Sequence, residues 1–155
     1  PERVVLVVAP GMEAVVETAK QVRPDLRVAI QQEQLGTGHA VRAALPALEG
    51  FDGDVLVVYA DTPLLTPRTL SDLISAKRRD SDAIALLGMK PADPTGYGRL
   101  VMQPEPYVTR IVEEKDASAE EKHIPWVWGG VMAFDSMFLR TGLSALAPSP
   151  VTGEY

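Results

Sequence analysis

Three short segments carry residue types that can do chemistry. Tyr59-Ala60-Asp61-Thr62-Pro63 sets a carboxylate at the end of an apolar run. A hard divalent cation such as Mg²⁺ takes oxygen ligands, often one or two carboxylates plus substrate phosphates. Asp61 suits that role, and equally suits a carboxylate that only caps the turn before Pro63. Gln31-Gln32-Glu33-Gln34-Leu35-Gly36-Thr37-Gly38-His39 places two glycines around Thr37. Glycine lets the backbone approach a ligand closely, and amides at a helix start favour an anion or a polar ring edge. A flexible connection with Thr37 as helix cap accounts for the same residues, and His39 then reads as helix surface. Asp93-Pro94-Thr95-Gly96-Tyr97-Gly98-Arg99 is a tight glycine-bearing turn. Glu113-Glu114-Lys115-Asp116 follows one strand later, a mixed run of the kind that is usually solvated surface. Trp126 and Trp128 alternate on one strand face, where core packing competes with stacking on a sugar or base. No Ser-His-Asp motif is apparent, and neither G-x-x-x-x-G-K-[ST] nor G-x-G-x-x-G occurs.

The elements that must position these residues alternate. Residues 4–9 are a β-branched run, apolar on both faces, as in a strand buried on both sides. Met12, Val15, Val16, Ala19 and Val22 recur at helical spacing before Pro24 stops the pattern. A strand over 26–31, the polar loop 32–38, a helix over 39–48 and a strand over 55–59 follow. Thr66 is a good N-cap before Pro67, opening a helix to about Lys77, and 83–89 is the fourth strand. This β-α-β-α-β-α-β order predicts an α/β domain of three layers with a mostly parallel sheet. The remainder differs. Strands over 99–103 and 108–113 flank Pro104-Glu105-Pro106, and a strand over 126–134 precedes a weaker helix over 135–146. These later strands are expected to form an antiparallel extension, and 147–152 reads as a linker. In open α/β sheets ligands bind beyond the carboxyl ends of the strands, the rule that singles out these three segments.

Composition bounds the function. The chain has 155 residues, 46% hydrophobic and 23% charged, enough for one packed domain. With 15 basic against 21 acidic residues the net charge is −6, which excludes a protein that coats nucleic acid through a cationic face. There are no cysteines, so disulfide scaffolds, thiolate metal sites and cysteine nucleophiles are excluded. No apolar run approaches the ~20 residues of a membrane span. A cytoplasmic protein without a membrane partner is the expectation.

Four ordered segments, Gln34 to Ala40, Tyr59 to Leu64, Asp93 to Arg99 and Ile111 to Ala117, together with the closing Gly153-Glu154-Tyr155, resemble the uridyltransferase (pyrophosphorylase) domain of the bacterial GlmU family. The resemblance implies a Rossmann-like nucleotidyltransferase fold. It also implies the joining of UTP and N-acetylglucosamine 1-phosphate into UDP-N-acetylglucosamine and pyrophosphate, for peptidoglycan and lipopolysaccharide synthesis, with Mg²⁺ as cofactor. By motif matching, Gln31, Gly36 and Thr37 would contact the uracil. Tyr59, Ala60 and Asp61 would line the nucleotide site, with Asp61 holding Mg²⁺ as the catalytic and metal-binding residue. Gly98 and Glu113 would hold the sugar.

Three departures from the family pattern accompany this. The family's opening strand and its basic glycine-rich loop, of the form L-x-A-G-x-G-T-R-M, have no counterpart here. The family's second metal-ligating Asn and its hexapeptide-repeat acetyltransferase domain lie beyond Tyr155. The expectation is therefore a partial domain over 1–155, incomplete at both ends, inactive by itself, with an open strand edge between the strands over 4–9 and 55–59. Finally, Trp128 stands where the family has a sugar-contacting Asn. A nucleotidyltransferase for another sugar phosphate, or a non-catalytic nucleotide-sugar-binding module, is the alternative reading.

Overall fold

The structure is a computed structural model that describes residues 1–149 and 153–155. The end of the expected linker, 150–152, lies outside the described residues. The chain divides into two compact units, Pro1–Gly53 with Ser136–Tyr155, and Asp54–Asp135.

The first unit follows the expected alternation. β1 (Val5–Val8), α1 (Glu13–Val22), β2 (Arg27–Ile30) and α2 (Thr37–Ala44) come in that order, and a short 3₁₀ turn (Leu45–Leu48) continues α2. β1 and β2 pair in parallel, Val5 opposite Arg27 and Val8 opposite Ile30. α2 packs on both strands. Val8, Leu26, Ala29 and Ala44 are buried here, as are Leu139 and Leu143 of α4 (Ser136–Ala145). α4 is tied down by polar bonds. The Ser136 hydroxyl accepts from Gly53 N–H at 3.2 Å, and the Arg140 guanidinium donates to the carbonyls of Leu48 and Phe51. α1 departs from expectation: it has no buried residue, and Met12, Val15 and Val22 stay exposed. A two-stranded sheet offers too little apolar surface to cover that stripe.

The second unit is built around one long strand. It runs β3 (Asp54–Val58), α3 (Pro67–Asp80), β4 (Ile84–Met89), β5 (Arg99–Met102), β6 (Val108–Val112) and β7 (Val127–Asp135). β3 and β4 both pair with β7, antiparallel, and β5 pairs antiparallel with β6 and β7. The protein thus has the α/β character and the mixed strand directions expected of it. The antiparallel share is larger than the alternation suggests, because β7 takes the place between β3 and β4 that a parallel pairing would need. Val127, Val131 and Ala133 of β7 are completely buried, and Leu73 of α3 packs on the latter two. Full burial of a Val or Leu side chain contributes about 1.5–3 kcal/mol, so this seam is the centre of the unit's stability. α3 begins where its sequence says. Pro67 occupies the first turn, and the Thr66 hydroxyl accepts the N–H of Thr69 at 3.1 Å. It ends at Ser81, whose φ is +56°. Lys77, Arg78 and Arg79 fill its last turn, complementing the carbonyl end of the helix dipole.

Among the described residues β1 pairs only with β2, and β3 only with β7, so each keeps one unpaired edge.

Candidate functional site

In the first unit, the loop after β2 folds back on itself. The Gln31 backbone continues the ladder, its N–H donating to Val8 C=O at 2.8 Å. The Gln31 side-chain amide donates to Gly36 C=O at 3.1 Å and lies 3.2 Å from His39 Nδ1. Gly36 is the residue before α2, with φ +91°, and no side chain caps the helix. Thr37 therefore opens α2 from its first turn and does not act as the cap weighed from sequence.

The reason for the two glycines is close backbone packing by the chain's last residues. Tyr155 N–H donates to Leu35 C=O at 2.8 Å, and Gly38 N–H donates to Tyr155 C=O at 3.0 Å. A Cβ on Gly36 would lie 2.8 Å from Tyr155 O, and one on Gly38 would lie 2.9 Å from Tyr155 C. The Tyr155 ring sits 4.2 Å beneath the Arg42 guanidinium and 5.8 Å from the His39 ring. Gly153–Tyr155 is thus a strap across the loop, and it uses the Gly38 amide that the sequence reading offered to a ligand. We expect Gly36→Ala to destabilise the protein by about 1–2 kcal/mol, from its positive φ and the contact with Tyr155. Gly142→Ala, in helical α4 with nothing near its Cβ position, should instead stabilise by about 0.5–1 kcal/mol. Urea unfolding of the two variants checks both signs.

In the second unit, Tyr59, Ala60 and Asp61 follow β3 directly. The turn is closed by the Thr62 hydroxyl, which donates to Tyr59 C=O at 2.7 Å. The capping role weighed for Asp61 falls to Thr62. The Asp61 carboxylate is exposed and meets no partner among the described residues. The Tyr59 ring stands edge-on to Trp128 at 5.7 Å. Gly130 has φ +76°, and a Cβ there would lie 3.0 Å from the Tyr59 ring, so the backbone and the neighbour both require glycine.

Gly98, Glu113 and Trp128 meet, the first just before β5, the second just after β6 and the third on β7. Trp128 N–H donates to Gly98 C=O at 2.9 Å. A Cβ on Gly98 would lie 3.0 Å from Ile111 and 3.5 Å from Glu113 Oε1, so the bare Cα makes room for that exposed carboxylate. The Trp128 indole Nε1 is buried and has no hydrogen-bond partner among the described residues. Trp126 does not join this cluster: its ring lies 4.3 Å beneath Lys90 Nζ and its Nε1 donates to Glu105 at 3.3 Å. The turn before β5 is built by Asp93, whose carboxylate accepts the Thr95 N–H at 3.0 Å. Hydrogen bonds from the Thr95 side chain and backbone hold the Asp93 carboxyl below its usual range.

Sequence reasoning missed three participants. Arg99 is only 2% exposed, pairs with Glu114 Oε2 at 2.5 Å and donates to Tyr97 C=O, joining the 93–99 turn to the residue after Glu113. A charge in a four-residue strand carries no sign of its burial. His39, read as helix surface, and Tyr155, seen only as part of the closing Gly-Glu-Tyr, gave no sign of their contacts, because their partners are brought by the tertiary fold. Among the described residues no three His, Cys, Asp or Glu side chains converge as a metal cage.

The first unit carries a glycine-bearing loop ahead of α2; the second, taken by itself, carries a carboxylate just after β3 and the neighbouring Gly98 and Glu113. Residues 1–121 match the MobA-like NTP transferase domain, and the chain belongs to that family. Its sequence matches bacterial "Bifunctional protein GlmU". It is 46% identical to the protein of Corynebacterium glutamicum over 99% of this chain and 33% of that one. It is 48% identical to that of Azorhizobium caulinodans, over 99% and 34%, and 47% identical to that of Rhodospirillum rubrum, over 100% and 34%. The chain therefore spans about a third of the length of these relatives. Among solved structures it is similar in fold to UDP-glucose pyrophosphorylase in complex with UDP-glucose, with TM-score 0.68, 15% identity and coverage of 97% of this chain and 65% of that one. The apo form of UDP-glucose pyrophosphorylase gives 0.70, 15%, 97% and 64%.

Proposed function

We propose that this chain supplies the core of a uridyltransferase that joins UTP and N-acetylglucosamine 1-phosphate into UDP-N-acetylglucosamine and pyrophosphate, in the cytoplasm. The observation that carries the reading is the match to GlmU proteins along the whole chain at 44–48% identity.

A sugar phosphate oxygen attacks the α-phosphorus of UTP, a new P–O bond forms, and the bond to the β-phosphate breaks to release pyrophosphate. Catalysis is chiefly positioning and charge neutralisation, with little covalent work for the protein. Gln31, Gly36 and Thr37 take the uracil in this reading, and Tyr59 and Ala60 line the nucleotide. Gly98 offers backbone at close range, and Glu113 accepts hydrogen bonds from sugar hydroxyls. Nucleotidyltransferases of this family generally work with a divalent metal, and Mg²⁺ is our choice. Asp61 would hold it, since an exposed carboxylate with no partner among the described residues could join substrate phosphates in the oxygen ligand set Mg²⁺ prefers. When bound, the cation offsets the charge on the reacting phosphates.

A second reading, another sugar 1-phosphate, is favoured by Trp128. Its ring packs on Tyr59 and its N–H is left free of protein partners among the described residues, where the resemblance expects an amide. One assay tests both: pyrophosphate release by the protein as encoded, with UTP, Mg²⁺ and a panel of sugar 1-phosphates. Turnover highest with N-acetylglucosamine 1-phosphate supports the first reading, and turnover highest with another sugar supports the second. UTP binding without turnover on any sugar would leave a binding module.

A further inference from the structure

We propose that His39 is a positioning residue that fixes which way round the Gln31 amide faces, and so makes the base site select uracil over cytosine. The inference rests on the reading of Gln31, Gly36 and Thr37 as the base site.

A glutamine side chain has one carbonyl acceptor and one NH₂ with two donors, and rotating the amide by half a turn exchanges them. Here both donors are spent inside the protein. Gly36 C=O, 3.1 Å away, can only accept, so the nitrogen of the amide must face it. His39 Nδ1, 3.2 Å from the same nitrogen, takes the second N–H. Nδ1 accepts only when it carries no proton, so His39 is the neutral tautomer protonated on Nε2. His39 is itself seated in the first turn of α2, beside the Tyr155 ring of the strap. Rotating the amide would set its oxygen against the Gly36 carbonyl and the Nδ1 lone pair together.

What remains of Gln31 for a ligand is Oε1, a pure acceptor with no partner among the described residues. Uracil has one donor on its pairing edge, N3–H, between the acceptors O2 and O4. A uracil that meets Gln31 therefore does so through N3–H to Oε1. Cytosine in the same pose presents an N3 lone pair to that oxygen, leaving two acceptors facing each other. Loss of His39 removes one of the two restraints on the amide, and the rotated form that suits cytosine becomes accessible.

The test uses the protein as encoded, with UTP and CTP as alternative nucleotides. His39→Leu is expected to lower the ratio of kcat/KM for UTP over CTP by about 10-fold, chiefly through KM, because a hydrogen bond that orients a half-buried amide is lost. His39→Asn, whose Oδ1 can take the place of Nδ1 as acceptor, should keep the ratio within about 2-fold of the parent. Nitrogen shifts of His39 in the ligand-free protein should show the tautomer protonated on Nε2, a readout that needs no turnover. An unchanged ratio in His39→Leu, no preference for UTP in the parent, or a His39 protonated on Nδ1 overturns the inference and leaves the enzyme reading standing. No turnover with any nucleotide, with the tautomer as stated, overturns the enzyme reading instead.

Discussion

Asp61→Asn is expected to leave the protein folded and to slow pyrophosphate release by about 10³-fold, equivalent to roughly 4 kcal/mol of transition-state stabilisation. The two halves of that expectation have separate grounds. Folding is spared because the Asp61 carboxylate is exposed and holds nothing in the described structure, the turn being closed by Thr62. Surface substitutions of this kind usually stay within about 0.5 kcal/mol. Activity is lost because asparagine keeps an oxygen but not the charge, and a hard dication bound by few protein ligands depends on that charge. The accompanying measurement is the Mg²⁺ concentration for half-maximal rate, which should rise steeply in the variant. A variant within tenfold of the parent at millimolar Mg²⁺ would remove Asp61 from the metal role.

The largest expected effect on stability lies elsewhere, at Asp54→Ala. Asp54 opens β3, and its carboxylate bonds Lys77 at 2.9 Å and Arg78 at 2.6 Å in the last turn of α3. The Asp54 and Lys77 side chains are 10% and 8% exposed, whereas Arg78 reaches the pair from solvent. Removing the carboxylate leaves the Lys77 ammonium buried and unpaired, and breaking such a pair from one side destabilises by about 3–5 kcal/mol. That is a large part of the roughly 5–15 kcal/mol that holds a domain folded. Asp54→Asn should lose less, since its amide oxygen still accepts from Lys77. The same site predicts a pH dependence. Burial raises the Asp54 carboxyl, but the hydrogen bonds from Lys77 and Arg78 outweigh it and hold the group below its ordinary value of 3.8. A carboxyl depressed in the folded state stabilises fully above the unfolded value, about 4. That contribution disappears as pH falls through the lower folded value. Urea midpoints at pH 7 and pH 3 should therefore converge between parent and Asp54→Asn as the solution is acidified. A constant difference between them would refute the assignment.

Much of the fold was legible because its signals are local. Thr66-Pro67 announces the start of α3 through a cap and a fixed φ, and the hydroxyl bond to Thr69 is where it was expected. The run 126–134 reads as a strand by its β-branched and aromatic content, and β7 occupies Val127–Asp135. Its partners were not legible. Nothing in residues 54–58 or 84–89 says that β7 will insert between them, because strand order depends on which long-range pairing buries Val131 and Ala133 best. The α1 stripe misled for the same reason: helical spacing marks an apolar face, but only neighbouring elements determine whether it is covered.

The candidate site divides along the same line. Residue types singled out Asp61 and the glycine-bearing loop around Thr37, since a dication asks for a carboxylate and close approach asks for a bare Cα, whereas Gln31, Gly98 and Glu113 took their roles from the family resemblance. Those demands are met by covalent identity and can be read one residue at a time. Only the tertiary structure decided what each group is free to do. It let Thr62 close the turn and left Asp61 open. It spent the Gly38 amide on Tyr155, and it set the Gln31 amide nitrogen 3.1 Å from Gly36 C=O and 3.2 Å from His39 Nδ1. Hydrogen-bond capacity is finite and is shared out among whatever the fold brings within about 3 Å, so the donors and acceptors left for a ligand are a property of the packing and not of the sequence alone.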